Sequence, residues 1–520
     1  MTSTRNNELT DFELGIELRE NSQSPNGSRQ NLTKTEAMKE SIHIQDTIDE
    51  NNIAPPQVDS IESSVGNPTS TNPQEWPKSK KWRAVSVAAA YTFLSPISSS
   101  MVAPALPIMA SDLKMTETIE VEMAMSIFVL AFAFGPLILA PLSEVYGRFK
   151  IMQFSVWVFI LFNLACGFAK TTAQILIFRF LAGLGGSAPI AVAGSIISDL
   201  FNQAEMGKAM ASYGLGVILA PAIGPIIGGI LTQNTTWHWA FYVVSIVTAV
   251  VAIIGTFAMP ETYRPYLEAQ ARKSAALKYT SVIEHPLKSK ASNTIKVAVV
   301  RPFILLGTQP ITQVIGLYMA FIYGLLYIVL TTYSALFVFH YGESTQTSTF
   351  HYLALGLGSL IGTLLAGVSI DFSSRYLQKR YNTPHKAEYR LVVAIPASIT
   401  LPVGLFVYGW AADKNWHWVV VDLGIVIFSC SVNIIFQALT VYTVDVYTLY
   451  SASALAAVGF LRSVFGFGFP LFATNMYDEL GYGWANSTLA FIGLGIGIPA
   501  SILLYVSGEK IRNKSKFATG

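Results

Sequence analysis

The chain has 520 residues, of which 52% are hydrophobic and only 13% charged, with a formal net charge of +2. Soluble domains carry roughly 25% charged residues, so this deficit excludes an ordinary soluble protein, and the near-neutral balance excludes a nucleic-acid partner. Cys166 and Cys430 lie far apart inside apolar stretches, which excludes a disulfide framework and a cysteine metal site; no metal or other cofactor is expected.

In chain order, Met1 to Asn72 is rich in Ser, Thr, Asn, Glu and Gln and has no signal-peptide pattern. Such a composition buries too little apolar surface to offset the entropy of ordering, so residues 1–82 read as a disordered tail. Long apolar segments then follow at roughly 85–110, 122–142, 150–169, 173–199, 206–231, 239–259, 309–338, 349–370, 390–411, 418–442, 451–475 and 484–506. A hydrocarbon layer roughly 30 Å thick and a helical rise of about 1.5 Å per residue make each of them a predicted crossing helix. The polar, basic connection 261–308 divides them into halves 83–260 and 309–507, with a short tail 508–520. The expected fold class is an all-α membrane protein of twelve transmembrane helices in two six-helix halves.

Lysine and arginine fall almost entirely on one set of connections: Lys78–Arg83, Arg148 and Lys150, Lys208, the 261–308 connection, Arg375–Arg390 and Lys510–Lys516. The other set holds only Lys114, Lys170 and Lys414. The positive-inside bias therefore predicts cytoplasmic termini and a cytoplasmic central connection. Asn234 and Asn486 head sequons on the outer side and are the candidate glycosylation sites.

The halves repeat one another. Ala140-Pro141-Leu142-Ser143-Glu144-Val145-Tyr146-Gly147-Arg148 follows the second helix, and Gly367-Val368-Ser369-Ile370-Asp371-Phe372-Ser373-Ser374-Arg375 follows the eighth. Each has a small residue, an acid four positions on and an arginine four after that. Asp199 ends the fourth helix as Asp445 ends the tenth, and Pro225 and Pro470 follow at nearly the same offset. Duplicated halves are a common transporter plan, with the solute site where they meet. Glu144, Arg148 and Asp199 are expected to form an ion-pair gate or a static clamp, with Asp371, Arg375 and Asp445 as its echo.

Arg179 and Arg462 lie within spans, where an arginine faces the bundle interior and needs a partner. For Arg179 that is either proton relay or anion attraction, or hydrogen bonding to carbonyls of a neighbouring broken helix. Asp422, near the outer end of its helix, either reaches water or takes part in coupling. The fifth helix is dense in Gly216, Pro221, Gly224, Pro225, Gly228 and Gly229, a pattern for close packing and bending that could seal one side of a cavity. Tyr91, Ser95, Gln309, Tyr318, Tyr323, Tyr327, Asn433 and Gln437 are candidate cavity residues for a bulky, partly aromatic solute, with an interfacial belt or helix–helix bonding as the alternative. There is no phosphate-binding Gly-rich loop and no HExxH, so neither direct ATP drive nor metalloenzyme chemistry is expected.

Over everything after the tail, the chain resembles the major facilitator superfamily. Pro141 to Arg148 is similar to the signature between helices two and three, with Ala140 where glycine is usual and Glu144 where many members have aspartate. Arg179 with Gly183 to Gly186 resembles the fourth-helix signature, and Gly216 to Gly229 the fifth-helix signature of proton antiporters. Trp237-His238-Trp239-Ala240-Phe241-Tyr242, Pro260-Glu261-Thr262-Tyr263, Leu317 to Gly324 and Phe469-Pro470-Leu471-Phe472-Ala473 resemble the fungal twelve-helix drug:proton antiporter branch. The resemblance implies a proton-driven exporter of a small organic molecule (drug, polyamine, toxin or secondary metabolite) across the plasma membrane. One chain holds a complete pathway, so a monomer is expected, and the lack of enzyme constellations makes a non-enzymatic role the expectation. Some such antiporters carry an acid in the first helix, and this chain has none from Val85 to Ala110. A facilitative importer of a nutrient such as a sugar and a non-transporting sensor are the competing readings.

Overall fold

In the computed structural model, residues 72–279, 287–383, 386–515 and 517–518 are described. Most of the expected tail, residues 1–71, lies outside them. Among the described residues every regular element is helical. Twelve helices are long and apolar enough to cross a bilayer: α1 Lys78–Asp112, α2 Thr118–Tyr146, α3 Arg148–Cys166, α4 Thr172–Leu200, α5 Glu205–Asn234, α6 His238–Ala258, α7 Pro310–His340, α8 Thr345–Tyr381, α9 Ala387–Asp413, α10 Trp418–Val446, α11 Thr448–Gly468 and α12 Pro470–Arg512. The chain is an integral membrane protein. Large apolar side chains cover its flanks, Phe257 at 86% exposure and Val368 at 74%, as lipid contact requires.

Helix ends follow local chemistry. The Thr171 hydroxyl caps α4 by accepting from the Gln174 amide, and Ser344 caps α8 in the same way on Thr347. Gly147, at φ 101°, ends α2 in a conformation that L side chains avoid. Several ends depart from the periodicity. α1 begins at Lys78, ahead of Val85, because Lys81 donates to the Gln74 carbonyl at 2.7 Å and Lys80 sits over the Trp76 ring, so the lysines remain at the polar boundary. The same helix breaks after Ser100 into a 3-10 turn, Ala103–Ala105, where Pro104 and Pro107 interrupt the ladder. α8 runs on to Tyr381, past the expected end at 370, and stops at Asn382 in the left-handed region. Gly481, at φ 69°, breaks α12, so its segment before Gly481 continues the crossing begun by α11. The polar connection contains two helices, Arg264–Tyr279 and Leu287–Thr308.

Arg148, Arg264 and Arg512 mark one face of the bundle, termed here the basic face. Among the described residues two large apolar cores fill the bundle, beside a small cluster of Ala366, Ile370, Ala394 and Ala438. One lies wholly in the first half, around Val85, Phe128, Phe159 and Ile196. The other fills the second half and extends into the first, taking in Val102, Leu106, Met109, Met125, Trp237 and Phe241 from the ends of its helices opposite the basic face. The halves are thus sealed together at that opposite face.

Candidate functional site

The first cluster sits on the basic face. Arg148 is 6% exposed at the start of α3. Its Nε lies 3.3 Å from Asp199 Oδ2, its Nη1 3.6 Å from Glu144, and Nη1 also donates to Ser143 Oγ at 2.8 Å. The Tyr263 ring covers the guanidinium at 4.8 Å. Burial, then the Glu144 charge, push the Tyr263 phenol above its ordinary range. Glu261 completes the arrangement. Its Oε1 accepts from the amides of Arg148 (2.9 Å) and Tyr263 (3.0 Å), and its Oε2 from Phe149 (3.2 Å). A carboxylate on the free amides at a helix start satisfies donors that have no partner within the helix. At Gly147 a Cβ would lie 2.3 Å from Glu261 Oε2, so only glycine lets the acid approach. Glu144, Arg148 and Asp199 are therefore brought together, and sequence reasoning missed Glu261 as their fourth member. Its signal was an isolated acid just after a crossing helix.

The expected echo is corrected. Arg375 meets Asp371 at 4.0 Å on exposed surface, while Asp445 pairs at 3.0 Å with Arg390 of α9. Because α8 continues past 370, Arg375 rides on its exposed flank, and Arg390, near the start of α9, takes the position that Arg148 has in α3. Beside it Glu388 meets Arg512 at 3.6 Å, and Lys386 donates to Glu509 at 2.7 Å.

Arg179 is fully buried. Its fork donates to the carbonyls of Ser98 (3.3 Å), Ser99 (3.2 Å) and Met125 (3.3 Å), between the rings of Phe128 and Phe241. Ser98 and Ser99 lie just before the break in α1. This is the carbonyl-bonding geometry of the two alternatives for this residue.

Midway along the bundle the halves meet through aromatic groups. Tyr327 and Ser99 hydroxyls lie 3.3 Å apart, across the two halves. Tyr323 packs on Tyr327 at 5.0 Å and on Phe436 at 6.0 Å, and Arg462 covers the Tyr323 ring at 4.9 Å. Asn433 and Gln437 flank Phe436 along α10 and are half-buried. A cation over a pair of tilted phenol rings, with amides nearby, can hold a flat, partly polar solute.

Four other expected cavity residues are taken up elsewhere. Tyr91 donates to Gln153 at 3.0 Å and Ser95 to the Gly186 carbonyl at 2.7 Å, both inside the first half. Tyr318 meets Ser398 at 2.7 Å within the second half, and Gln309 accepts from Ser515 at the basic face. Long side chains at helical spacing satisfied neighbours in their own bundle instead of facing the seam between the halves.

α5 packs by glycine. A Cβ at Gly224 would lie 2.2 Å from Ser100 Oγ and one at Gly228 2.0 Å from the Met101 carbonyl, both on α1. A Cβ at Gly229 would meet Thr349 of α8 at 2.3 Å, and Gly356 of α8 faces Ala222, which lies beside Pro221. α5 therefore touches its own half and the other. Pro221 and Pro225 sit inside it without ending it. Gly216 approaches Phe93 at ordinary van der Waals distance.

At the face opposite the basic one, His351 lies between two acids. Nδ1 is 2.9 Å from Asp422 Oδ2 and Nε2 is 3.1 Å from Glu343 Oε2, while Tyr333 donates to Asp422 Oδ1 at 2.6 Å. Phe337 stacks on the imidazole at 3.5 Å. Asp422 is thus built into a network instead of simply reaching water. Burial, then Asp422, push the nearby Tyr341 phenol upward. Glu122 also lies at this end, within a cavity of about 330 Å³ between the halves. Periodicity gave no reason to single out His351 or Glu122. Of the sequons, Asn234 is exposed at the end of α5. Asn486 is 1% exposed, donates to the Tyr482 carbonyl at 2.9 Å and accepts from Tyr477, so it is corrected as a glycosylation site in the folded protein. Among the described residues no three His, Cys, Asp or Glu side chains group as metal ligands.

The model for the Major Facilitator Superfamily matches residues 88–470. The chain belongs to that superfamily. It is a membrane transporter of that family and not an enzyme. It is 38% identical over 452 residues to the efflux pump vrtL of Penicillium aethiopicum, covering 86% of this chain and 90% of that one. It is 39% identical over 455 residues to the efflux pump radE of Floropilus chiversii, with 86% and 84% covered. An uncharacterised transporter of Schizosaccharomyces pombe is 38% identical over 448 residues, with 85% and 91% covered. Among solved structures, the xylose transporter of E. coli in a partially occluded inward-open conformation aligns with a TM-score of 0.60 at 12% identity, over 82% of this chain and 99% of that one, a likeness of fold alone.

Proposed function

We propose that this superfamily member is a proton-coupled exporter of a small organic molecule, working as a monomer in the plasma membrane with both termini in the cytoplasm. The observation that carries export is α5, packed glycine-to-backbone on α1 and glycine-to-side-chain on α8, so that one helix bears on both its own half and the seam. Relatives named as efflux pumps support the direction. Proton coupling is supported by the nearly buried Arg148 between Glu144 and Asp199, where neutralising an acid removes the charge that holds the α2–α3 turn on α4. The midplane group of Tyr323, Tyr327, Phe436 and Arg462 favours a planar solute with aromatic and hydrogen-bonding character. The orientation rests on the basic-residue bias.

The test is flux of labelled azoles, cycloheximide, spermine and aromatic polyketides in proteoliposomes, with and without an imposed pH gradient. Accumulation against concentration that needs the gradient, and that falls at least ten-fold in Asp199→Asn, is the expected result. Flux that only equilibrates, equal with and without the gradient, returns the reading to a facilitator.

A further inference from the structure

Glu122 stands one turn inside α2 from the face opposite the basic one, and it is 6% exposed. Its Oε1 accepts from Thr474 Oγ1 at 2.6 Å, a bond that crosses from the first half to the segment of α12 before Gly481. Its Oε2 has no hydrogen-bond partner. The carboxyl lines the cavity bounded by Pro104 of α1, Thr331 and Val338 of α7 and Thr345 of α8. Of the charged or titratable side chains on that lining, the only other is Glu117, a second acid. Arg179 of α4, which reaches α2 at the Met125 carbonyl, directs Nη1 and Nη2 there and to the Ser98 and Ser99 carbonyls, and its Nε makes no hydrogen bond to Glu122 or to any other group among the described residues. Ser126, one turn along, donates to the Glu122 backbone carbonyl and not to the carboxyl.

An ionised carboxyl enclosed in this way would be a buried charge with one hydrogen bond and no cation. Burial of that kind is strongly disfavoured, whereas a neutral acid needs only its hydrogen bonds. Water reaches the group when the halves part. We infer that Glu122 is the proton-binding group of the seam opposite the basic face: the neutral acid is compatible with the closed seam, and loss of its proton drives the seam open. Linkage makes this reciprocal, so a proton that binds the closed form better closes the seam by the same factor. A proton taken from the far side of the membrane would then return the empty transporter toward the basic face, the step an exchanger needs after releasing its solute. Only that last use rests on the proposed exchange; the conformational claim stands without it.

The experiment uses the full chain in lipid nanodiscs, with spin labels on Thr116→Cys and Phe339→Cys, one on each half at the cavity lining, and Cys430→Ser to remove the half-buried native thiol. With one linked proton, the open-to-closed ratio changes by up to about ten-fold per pH unit. The unsubstituted seam is expected to lengthen its label distance as pH rises. Glu122→Gln is expected to hold the short distance throughout, and Glu122→Asp to restore the titration. Thr474→Val, which leaves the acid and removes its partner on the other half, is expected to move the midpoint, so the question does not depend on Glu122→Gln folding. A pH-independent distance in the unsubstituted protein, a Glu122→Gln titration matching it, or an unmoved midpoint in Thr474→Val overturns the inference. Gradient-independent flux together with a titrating seam would sink the exchange reading and leave the proton-binding group standing. Gradient-driven flux untouched in Glu122→Gln would overturn the use of this proton in exchange, while the label distances decide the conformational claim.

Discussion

Arg179 is useful because its charge has no acid to answer it. A guanidinium spreads its charge over a planar fork, and here three carbonyls on two helices take that fork up. Lysine carries the same charge on one nitrogen and cannot span the same acceptors. Arg179→Lys is therefore expected to lower stability by about 2–3 kcal/mol, since hydrogen bonds to charged groups are worth roughly 1.5–3 kcal/mol each and part of the set survives. Thermal unfolding in detergent, followed by tryptophan fluorescence, measures it; an unchanged midpoint would mean that the fork is not holding α1 to α2. Asn234 and Asn486 differ at the same scale. Expression in a glycosylating host should give a mobility shift that Asn234→Gln abolishes and Asn486→Gln leaves intact, read on a denaturing gel with and without endoglycosidase. Loss of the shift in Asn486→Gln alone would contradict its burial.

Among the elements, α5 carries the sharpest contrast. Gly228 faces the Met101 backbone of its own half, and Gly229 faces the Thr349 side chain of the other. A backbone carbonyl cannot step aside as a side chain can. Gly228→Val should therefore separate α5 from α1 and reduce folded yield and thermal stability. Gly229→Val should fold nearly as the parent does but hold the seam apart, seen as a longer Thr116–Phe339 label distance. Equal loss of fold in both would show that α5 packs as one rigid face. The element scale is also where sequence and structure part company. Apolar length marks each crossing because lipid demands it. Helix ends answer to caps, lysine anchoring and neighbours, which is why α1 starts early and α8 runs on to Tyr381. That overrun explains the misplaced echo: the repeat motif was legible at Asp371 and Arg375, but the partner of Asp445 was decided by where α8 stops. Glu144, Arg148 and Asp199 were legible because two of them share one turn of chain. Glu122 and Thr474 were not, since nothing local links residues brought together only by the meeting of the halves.

At the scale of the whole molecule, the two faces are built differently. The basic face is held by ion pairs within each half: Arg148 with Asp199, Arg390 with Asp445 and Lys386 with Glu509. The opposite face is held across the halves by apolar packing and a few hydrogen bonds, among them Gln346 to Gln233 and Thr474 to Glu122. Charge clusters that lock each half leave the halves free to move against one another on that side. The core that reaches from the second half into Val102, Leu106, Met109, Trp237 and Phe241 has a thermodynamic consequence. Parting the seam there hydrates apolar surface, and hydration of apolar surface raises heat capacity. The balance between closed and open forms is therefore curved in temperature: cooling weakens the drive that keeps this end shut, so cold favours the open form and a turnover rate limited by opening will not follow a straight Arrhenius line.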